Sequence, residues 1–251
     1  MLSEIAIGIP LIRLDQVDST NSYASRLIKN GDAPEGTVIL AEVQTMGRGQ
    51  KGNTWESTKG MNLTFSFILT PSFLEVRRHF YLLMSISMGI LDLLKQEGIT
   101  AQVKWPNDMV SAGRKIGGIL IENSMQGSRV SSSVIGIGLN VNQARFAFTG
   151  GNPTSMKLEL GRTIDRENLL MDALKYLTTW INRLYRKEWS RIRESYLQHL
   201  FQYEQWADYT DASGDFRGRI RGVLEGGELS VEKQHGELHH YGFKEIGYRS
   251  S

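Results

Sequence analysis

The sequence predicts an α+β protein in which a mixed, largely antiparallel sheet is covered by helices and followed by a small closed barrel of short strands. Three observations predict it. Strand-like apolar runs and stretches of three-to-four apolar spacing follow one another in an irregular order, not as repeated βαβ units. Loops rich in Gly and Asn sit at the edges of the strand-like runs, as expected where a sheet holds its loops around one ligand. From Trp206 onward the helical spacing stops, and short β-forming stretches alternate with turns such as Asp211-Ala212-Ser213-Gly214-Asp215 and Glu225-Gly226-Gly227-Glu228. The expected domains are residues 1–203 and 204–251.

After a short apolar beginning through Ile12, Ser19 or Thr20 is placed to cap a helix carrying Tyr23, Ala24, Leu27 and Ile28, which Gly31 stops. Its hydroxyl-rich start also suits a polar ligand, because the first N–H groups of a helix point outward unpaired. Residues 37–42 and 62–70 read as strands, the second alternating Leu63, Phe65, Phe67 and Leu69 until Pro71 ends it. Residues 79–97 have helical spacing, which makes Phe80, Met84 and Met88 core residues and His79 a helix-start residue. A short strand at 101–105 is interrupted by Pro106, leaving Asn107 and Asp108 in a turn. Residues 116–122 and 134–139 are further strands joined through the polar segments 123–129 and 131–133. Residues 142–162 are irregular around Gly150-Gly151-Asn152-Pro153 and form a candidate flap. Asp165 caps a long amphipathic stretch, and a second helical set follows from Trp189 to Leu200.

Composition narrows the function. A hydrophobic content of 40% and a charged content of 22% describe a globular protein, and a formal charge of +2 gives no general affinity for nucleic acid. The absence of cysteine excludes disulfides, thiolate metal sites and a cysteine nucleophile. No run approaches the roughly 18 apolar residues of a bilayer span, and the start lacks a leader pattern, so a cytoplasmic protein without membrane contact is expected. His235, His239 and His240 have no further ligand at a zinc spacing.

The loop Gly47-Arg48-Gly49-Gln50-Lys51-Gly52-Asn53, followed by Thr54 and Trp55, is the densest signal. It fails the spacing of the phosphate-cradling P-loop and lacks that motif's Ser or Thr. Lys104-Trp105-Pro106-Asn107-Asp108, Gly113-Arg114-Lys115-Ile116-Gly117-Gly118 and Gly136-Ile137-Gly138-Leu139-Asn140 are similar loops. If they converge, Arg48, Lys51, Lys104 and Lys115 make an electropositive site with Gln44, Asn107 and Asn140 as neutral orienting groups. That site suits a phosphorylated small molecule, with Asp108 as the one acid available to Mg²⁺. No triad or acid/base pair stands out, which fits nucleotidyl transfer to a carboxylate, a reaction of positioning and charge neutralisation.

Together with Asp18-Ser19-Thr20-Asn21 and the run Lys115-Ile116-Gly117-Gly118-Ile119-Leu120 with Glu122, these blocks resemble those of the biotin–protein ligases, strongly over residues 10–200 and weakly beyond. The resemblance implies a catalytic domain like those of class II aminoacyl-tRNA synthetases and biotin ligases, then an SH3-like barrel. It implies an ATP- and Mg²⁺-dependent ligase that takes biotin as substrate, forms biotinyl-5′-AMP and transfers biotin to a lysine of a biotin carboxyl carrier protein or domain. In that pattern Ser19, Thr20 and Gln44 hold the ureido head of biotin, and Asn21, Gly47, Arg48, Gly49, Lys115, Gly117 and Ile119 complete its pocket. ATP is held by Arg48, Trp55, Lys104, Asn107, Lys115 and Asn140. Lys115, Arg48 and Lys104 are the catalytic candidates, and Asp108 the Mg²⁺ ligand.

Two departures from the pattern stand out. Gln50 and Asn53 occupy positions where several bacterial members carry arginine, which makes the loop less basic. The residues before Asp18 are too few for the winged-helix repressor domain of some members, so DNA binding is expected to be absent. The family pattern includes homodimers formed at sheet edges and monomers alike. The alternatives are a lipoate or octanoate ligase or transferase of the related fold, and a non-catalytic nucleotide- or carrier-binding module.

Overall fold

In a computed structural model, residues 4–146 and 152–249 are described, apart from the side chain of Lys51. Two sheets carry the architecture. The larger is built from β1 (Leu11–Val17), β2 (Val38–Gln44), β3 (Leu63–Leu69), β4 (Gln102–Lys104), β5 (Asp108–Ser111), β6 (Arg114–Gln126) and β7 (Arg129–Leu139). Its strands lie in the order β1-β2-β3-β7-β6-β5-β4. Only β1 and β2 run parallel, and α1 (Thr20–Asn30) makes the crossover between them. The α+β reading therefore holds, with one βαβ unit at its start.

Side-chain parity divides the sheet into two faces. Leu63, Phe65, Phe67 and Leu69 of β3 and Ile135, Ile137 and Leu139 of β7 belong to the main core with α2 (Phe80–Gln96) and α4 (Arg166–Tyr185). Buried nearly all round, α2 packs between the sheet side and α4, with α5 (Trp189–Gln198) alongside. The opposite parity gives Ile68 and Val134, which pack with Ile39 against Ala24 of α1. Helices thus lie on both faces. The cause is compositional: Ile68 and Val134 are apolar on the second face, whereas Thr64, Ser66, Gly136 and Gly138 further along the same rows are polar or lack a side chain. α1 covers the apolar end and leaves the rest of that face open.

Other boundaries moved for local reasons. β6 and β7 form one long hairpin that turns at Gly127 and Ser128, so the polar segments 123–126 and 131–133 are strand and not connection. Ser133 Oγ donates to Asn123 Oδ1 at 2.7 Å across the ladder, which gives those polar residues partners within the sheet. Asp108 starts β5 instead of lying in a turn, because its Cα pairs with both Lys104 and Gly118. The expected capping by Asp165 is present: its carboxylate accepts from the N–H groups of Glu167 and Asn168. Ser19 is the N-cap residue of α1 by backbone but makes no side-chain cap bond. In the flap candidate, Gly150 and Gly151 lie outside the described residues, while the short α3 (Met156–Leu160) follows Ser155.

The smaller sheet contains β8 (Trp206–Asp211), β9 (Gly214–Val223), β10 (Leu229–Lys233), β11 (Leu238–Tyr241) and β12 (Gly247–Tyr248), in the order β11-β10-β9-β8-β12. It is antiparallel throughout and SH3-like. Among the described residues no ladder joins β11 to β12, the two edge strands of this unit. A register shift opposite Ser230 and Val231 leaves Arg221 as the extra residue of a bulge in β9. No described helix is long and apolar enough to cross a membrane.

Candidate functional site

The open part of the second sheet face is the floor of a cleft. Strand register divides this floor into two rows. In the first, Gly136 pairs with Ser66 on one side and Leu120 on the other; in the second, Gly138 pairs with Thr64 and Gly118, and Gly118 with Asp108. The rows are about 7 Å apart, two residues along a strand. Glycine is needed in both: a Cβ on Gly136 would overlap Asn21 Oδ1, and one on Gly138 would overlap the Trp55 ring.

The wall beside the first row is polar and uncharged. Gln44 Oε1 accepts from Thr20 N–H at 2.7 Å and lies 3.1 Å from Thr20 Oγ1, so a side chain of β2 performs the capping that Ser19 does not. Ser66 Oγ is 2.7 Å from Thr20 Oγ1 and 2.6 Å from Asn21 Oδ1. The buried start of α1 is thereby held rigid, with Ser19 also lining the cleft. Just outside, Arg26 clamps the Asp18 carboxylate, with nitrogen–oxygen distances of 2.8 and 3.0 Å. That clamp, with help from the Ser19 N–H, holds Asp18 down at about 2.

The glycine loop folds as a small hairpin over the cleft. Arg48 and Thr54 form an antiparallel bridge, Gly49 N–H donates to Asn53 C=O at 2.6 Å, and Trp55 N–H donates to Gly47 C=O at 2.9 Å. Residues Gln50–Gly52 make a 3₁₀ turn at its tip. Gly47 is fixed by close approach, since a Cβ there would overlap Trp55 C=O and crowd Gln44 Nε2. Arg48 Nη2 pairs with Glu122 Oε2 at 2.7 Å, and the same oxygen accepts from Asn21 Nδ2 at 2.8 Å. Glu122 therefore ties the loop to the start of α1.

At the second row the character changes to charge. Lys115 Nζ lies 2.6 Å from Asp108 Oδ1 and 5.8 Å from the centroid of the Trp55 ring. A bulge between Met109 and Val110 shifts the register at Lys115. Its backbone is held by Asn152 C=O and Thr154 N–H, so the described part of the flap is stapled to β6. Asn107 Nδ2 donates to Ile119 C=O at 2.7 Å, fixing the turn before β5. Asp108, the Mg²⁺ candidate, is thus the counter-ion of Lys115, and the described residues hold no cluster of three metal-ligating side chains. One carboxylate is what a Mg²⁺ ion carried by a nucleotide needs from protein, but here Lys115 holds that carboxylate.

The structure brings Ser19, Thr20, Asn21, Gln44, Arg48, Gly49, Trp55, Asn107, Asp108, Lys115 and Ile119 to one cleft, with Gly47 on the outer side of the loop. Besides Gly47, three candidates lie off its lining. Gly117 is turned toward Leu139 and the Gly138 carbonyl. Asn140 is buried and donates to Thr154 C=O at 2.9 Å. Lys104 Nζ sits 4.7 Å from the centroid of the Tyr248 ring in the smaller sheet, and burial pushes its amine below the ordinary lysine value. Sequence reasoning missed Thr64, whose signal is its alternation with Ser66 as a polar residue on a fully buried strand. It also missed Lys244 and Ile246, which reach the cleft from the smaller sheet and carry no local signal at all.

The model of the biotin/lipoate A/B protein ligase family matches residues 14–140. The chain belongs to this family. It is 31% identical over 246 residues to the bifunctional ligase/repressor BirA of Bacillus spizizenii, covering 92% of this chain and 71% of that protein. It is 27% identical to the biotin–[acetyl-CoA-carboxylase] ligase of Paracoccus denitrificans, covering 86% of this chain and 91% of that protein. Among solved structures, the biotin protein ligase of Aquifex aeolicus in complex with biotin and ATP aligns with a TM-score of 0.78 and 27% identity, over 96% of this chain and 99% of that one. The family match spans both rows of the cleft floor and the glycine loop.

Proposed function

We propose that this protein is an ATP-dependent biotin–protein ligase. One observation carries the reading: a single cleft has an uncharged hydrogen-bonding end at Ser19, Thr20, Asn21 and Gln44 and a cationic end at Lys115, joined by a floor of glycines. The first end suits the ureido ring of biotin, which offers two N–H donors and a carbonyl acceptor. The dithiolane ring of lipoate offers no such groups and would gain no hydrogen bond from this polar wall.

Biotin carboxylate attacks the α-phosphorus of MgATP, a P–O bond forms, and pyrophosphate leaves. Lys115 is assigned to neutralise charge where the two anions meet, releasing Asp108 as it turns to them. Arg48 is assigned to phosphate, exchanging its Glu122 partner for the ligand. Trp55 closes over the second row, and Asn107 holds its edge. Lys104 and Asn140 are assigned supporting roles behind the cleft, in docking the smaller sheet and the 152–156 segment, which support nucleotide binding indirectly. In the second step the ε-amine of a carrier-domain lysine attacks the acyl carbon of biotinyl-5′-AMP, AMP leaves, and the amine gives up a proton. The glycine hairpin excludes water from the mixed anhydride meanwhile. A division into residues 1–203 and 204–251 fits this scheme, the second part lending Lys244 and Ile246 to the cleft.

The test is ATP–pyrophosphate exchange supported by biotin, then by lipoate, followed by transfer to a biotin carboxyl carrier domain. Exchange with biotin alone is expected. Exchange with lipoate and not biotin would overturn the acyl specificity, and none with either would favour a binding module.

A further inference from the structure

Thr64 lies in the second floor row, opposite Gly138, and lines the cleft. It is only 6% exposed, and its hydroxyl has no hydrogen-bond partner. The Trp55 ring lies over the same Gly138, lines the same cleft, and its buried indole N–H is likewise unpartnered. Elsewhere in the cleft, the buried polar groups of the first row are paired: Ser66 with Thr20 and Asn21, Thr20 with Gln44, Asn21 with Glu122. Two unsatisfied buried groups beside one open space are costly unless something arrives to pair them. A threonine here is also hard to explain by packing. Val has the same shape without the hydroxyl, and on this same face of β3 the position that α1 covers is the apolar Ile68.

We propose that Thr64 is a substrate-binding residue whose hydroxyl, alongside the Trp55 indole N–H, donates to the carboxyl end of bound biotin. The inference rests on the biotin reading above. Both groups donate, so their common partner is an acceptor, and the anionic end of the substrate is the acceptor that most needs donors when buried. Position agrees. Thr64 is one strand step from Ser66, which supports the polar wall, and its row is the one that ends at Asp108, the counter-ion of Lys115. The substrate then runs along the glycine floor, with its ureido ring at the first row and its carboxylate at the second.

The experiment compares wild type, Thr64→Val and Thr64→Ser in biotin-dependent ATP–pyrophosphate exchange, with thermal melting of each ligand-free protein. Thr64→Val is expected to raise KM for biotin by about tenfold or more, with KM for ATP nearly unchanged. Thr64→Ser, which keeps the hydroxyl, is expected to stay close to wild type. The ligand-free Thr64→Val protein is expected to melt no lower than wild type, because the substitution removes an unpaired buried oxygen. In ligand binding, the Thr64→Val loss is expected for biotin and for desthiobiotin but not for a biotin analogue that ends in a methyl group in place of the carboxylate, which places the contact at the carboxyl end.

An unchanged KM in Thr64→Val overturns the proposal, as does an equal loss in Thr64→Ser or an equal loss in binding the methyl-ended analogue. Wild type that shows no biotin-dependent exchange overturns the biotin reading itself and this proposal with it. Exchange in wild type with an indifferent Thr64→Val overturns the role of Thr64 alone.

Discussion

Lys115 and Asp108 show how one pair sets the chemistry of the cleft. Their ion pair, 2.6 Å long with both side chains about a third exposed, is reachable by ligand and weak enough to exchange. Lys115→Ala is expected to slow adenylation by a factor of 100 or more, on the order of what one charge-stabilising donor contributes to a transition state. The melting temperature should stay within a few degrees of wild type, and unchanged single-turnover adenylation would refute the assignment. At Asp18 the prediction concerns stability. Its folded-state value, about 2, lies below its ordinary value of 3.8, so the clamp with Arg26 stabilises the protein above that ordinary value and is lost as pH falls toward 2. Asp18→Asn should therefore melt slightly lower than wild type from pH 8 to 5, with the gap closing between pH 4 and 2. A gap that persisted at pH 2 would point to a cause other than charge.

The glycine hairpin is the element on which substrate retention depends. Its backbone is already ordered by the Arg48 to Thr54 bridge, and Glu122 anchors it through Arg48. Gly47→Ala would push a methyl group into Trp55 C=O and Gln44, displacing both the loop and the polar wall. A rise of about tenfold or more in KM for biotin is expected, since small misplacements at such sites carry large kinetic costs. Limited proteolysis within 47–55 should slow when biotin and ATP are both present, and equal cleavage with and without them would count against ordering by ligand. Most elements that the sequence predicted are present, because periodicity reports the buried face directly: Phe65 and Phe67 of β3 and the apolar residues of α2 are in the core. β1 and β5 were not legible. β1 mixes Arg13, Asp15 and Gln16 with its apolar residues and β5 has only four residues, so strand identity there comes from neighbours and not from its own pattern.

At the scale of the molecule, the second motif joins the two sheets. Trp105 Nε1 donates to Gly227 C=O at 2.9 Å, its ring meets Phe243 at 5.4 Å, and Lys104 lies against Tyr248. Residues that sequence spacing places in a ligand loop thus hold the smaller sheet, which in turn brings Lys244 and Ile246 to the cleft. Trp105→Phe would leave a buried carbonyl without its donor, at a cost of about 1–3 kcal/mol. Urea unfolding should show a lower midpoint with an unchanged slope. A midpoint equal to wild type would mean that the docking does not depend on this bond.

The sequence by itself determined the fold class, the family blocks and most of the cleft's residue types, because glycine spacing, caps and apolar periodicity are local properties. Tertiary structure decided the rest. It set Asp108 against Lys115, turned Asn140 and Lys104 away from the lining, and left Thr64 and Trp55 unpaired over Gly138. Those outcomes depend on strand register and on which residues of distant segments meet, and a one-residue shift in register would send each strand's side chains to the other face.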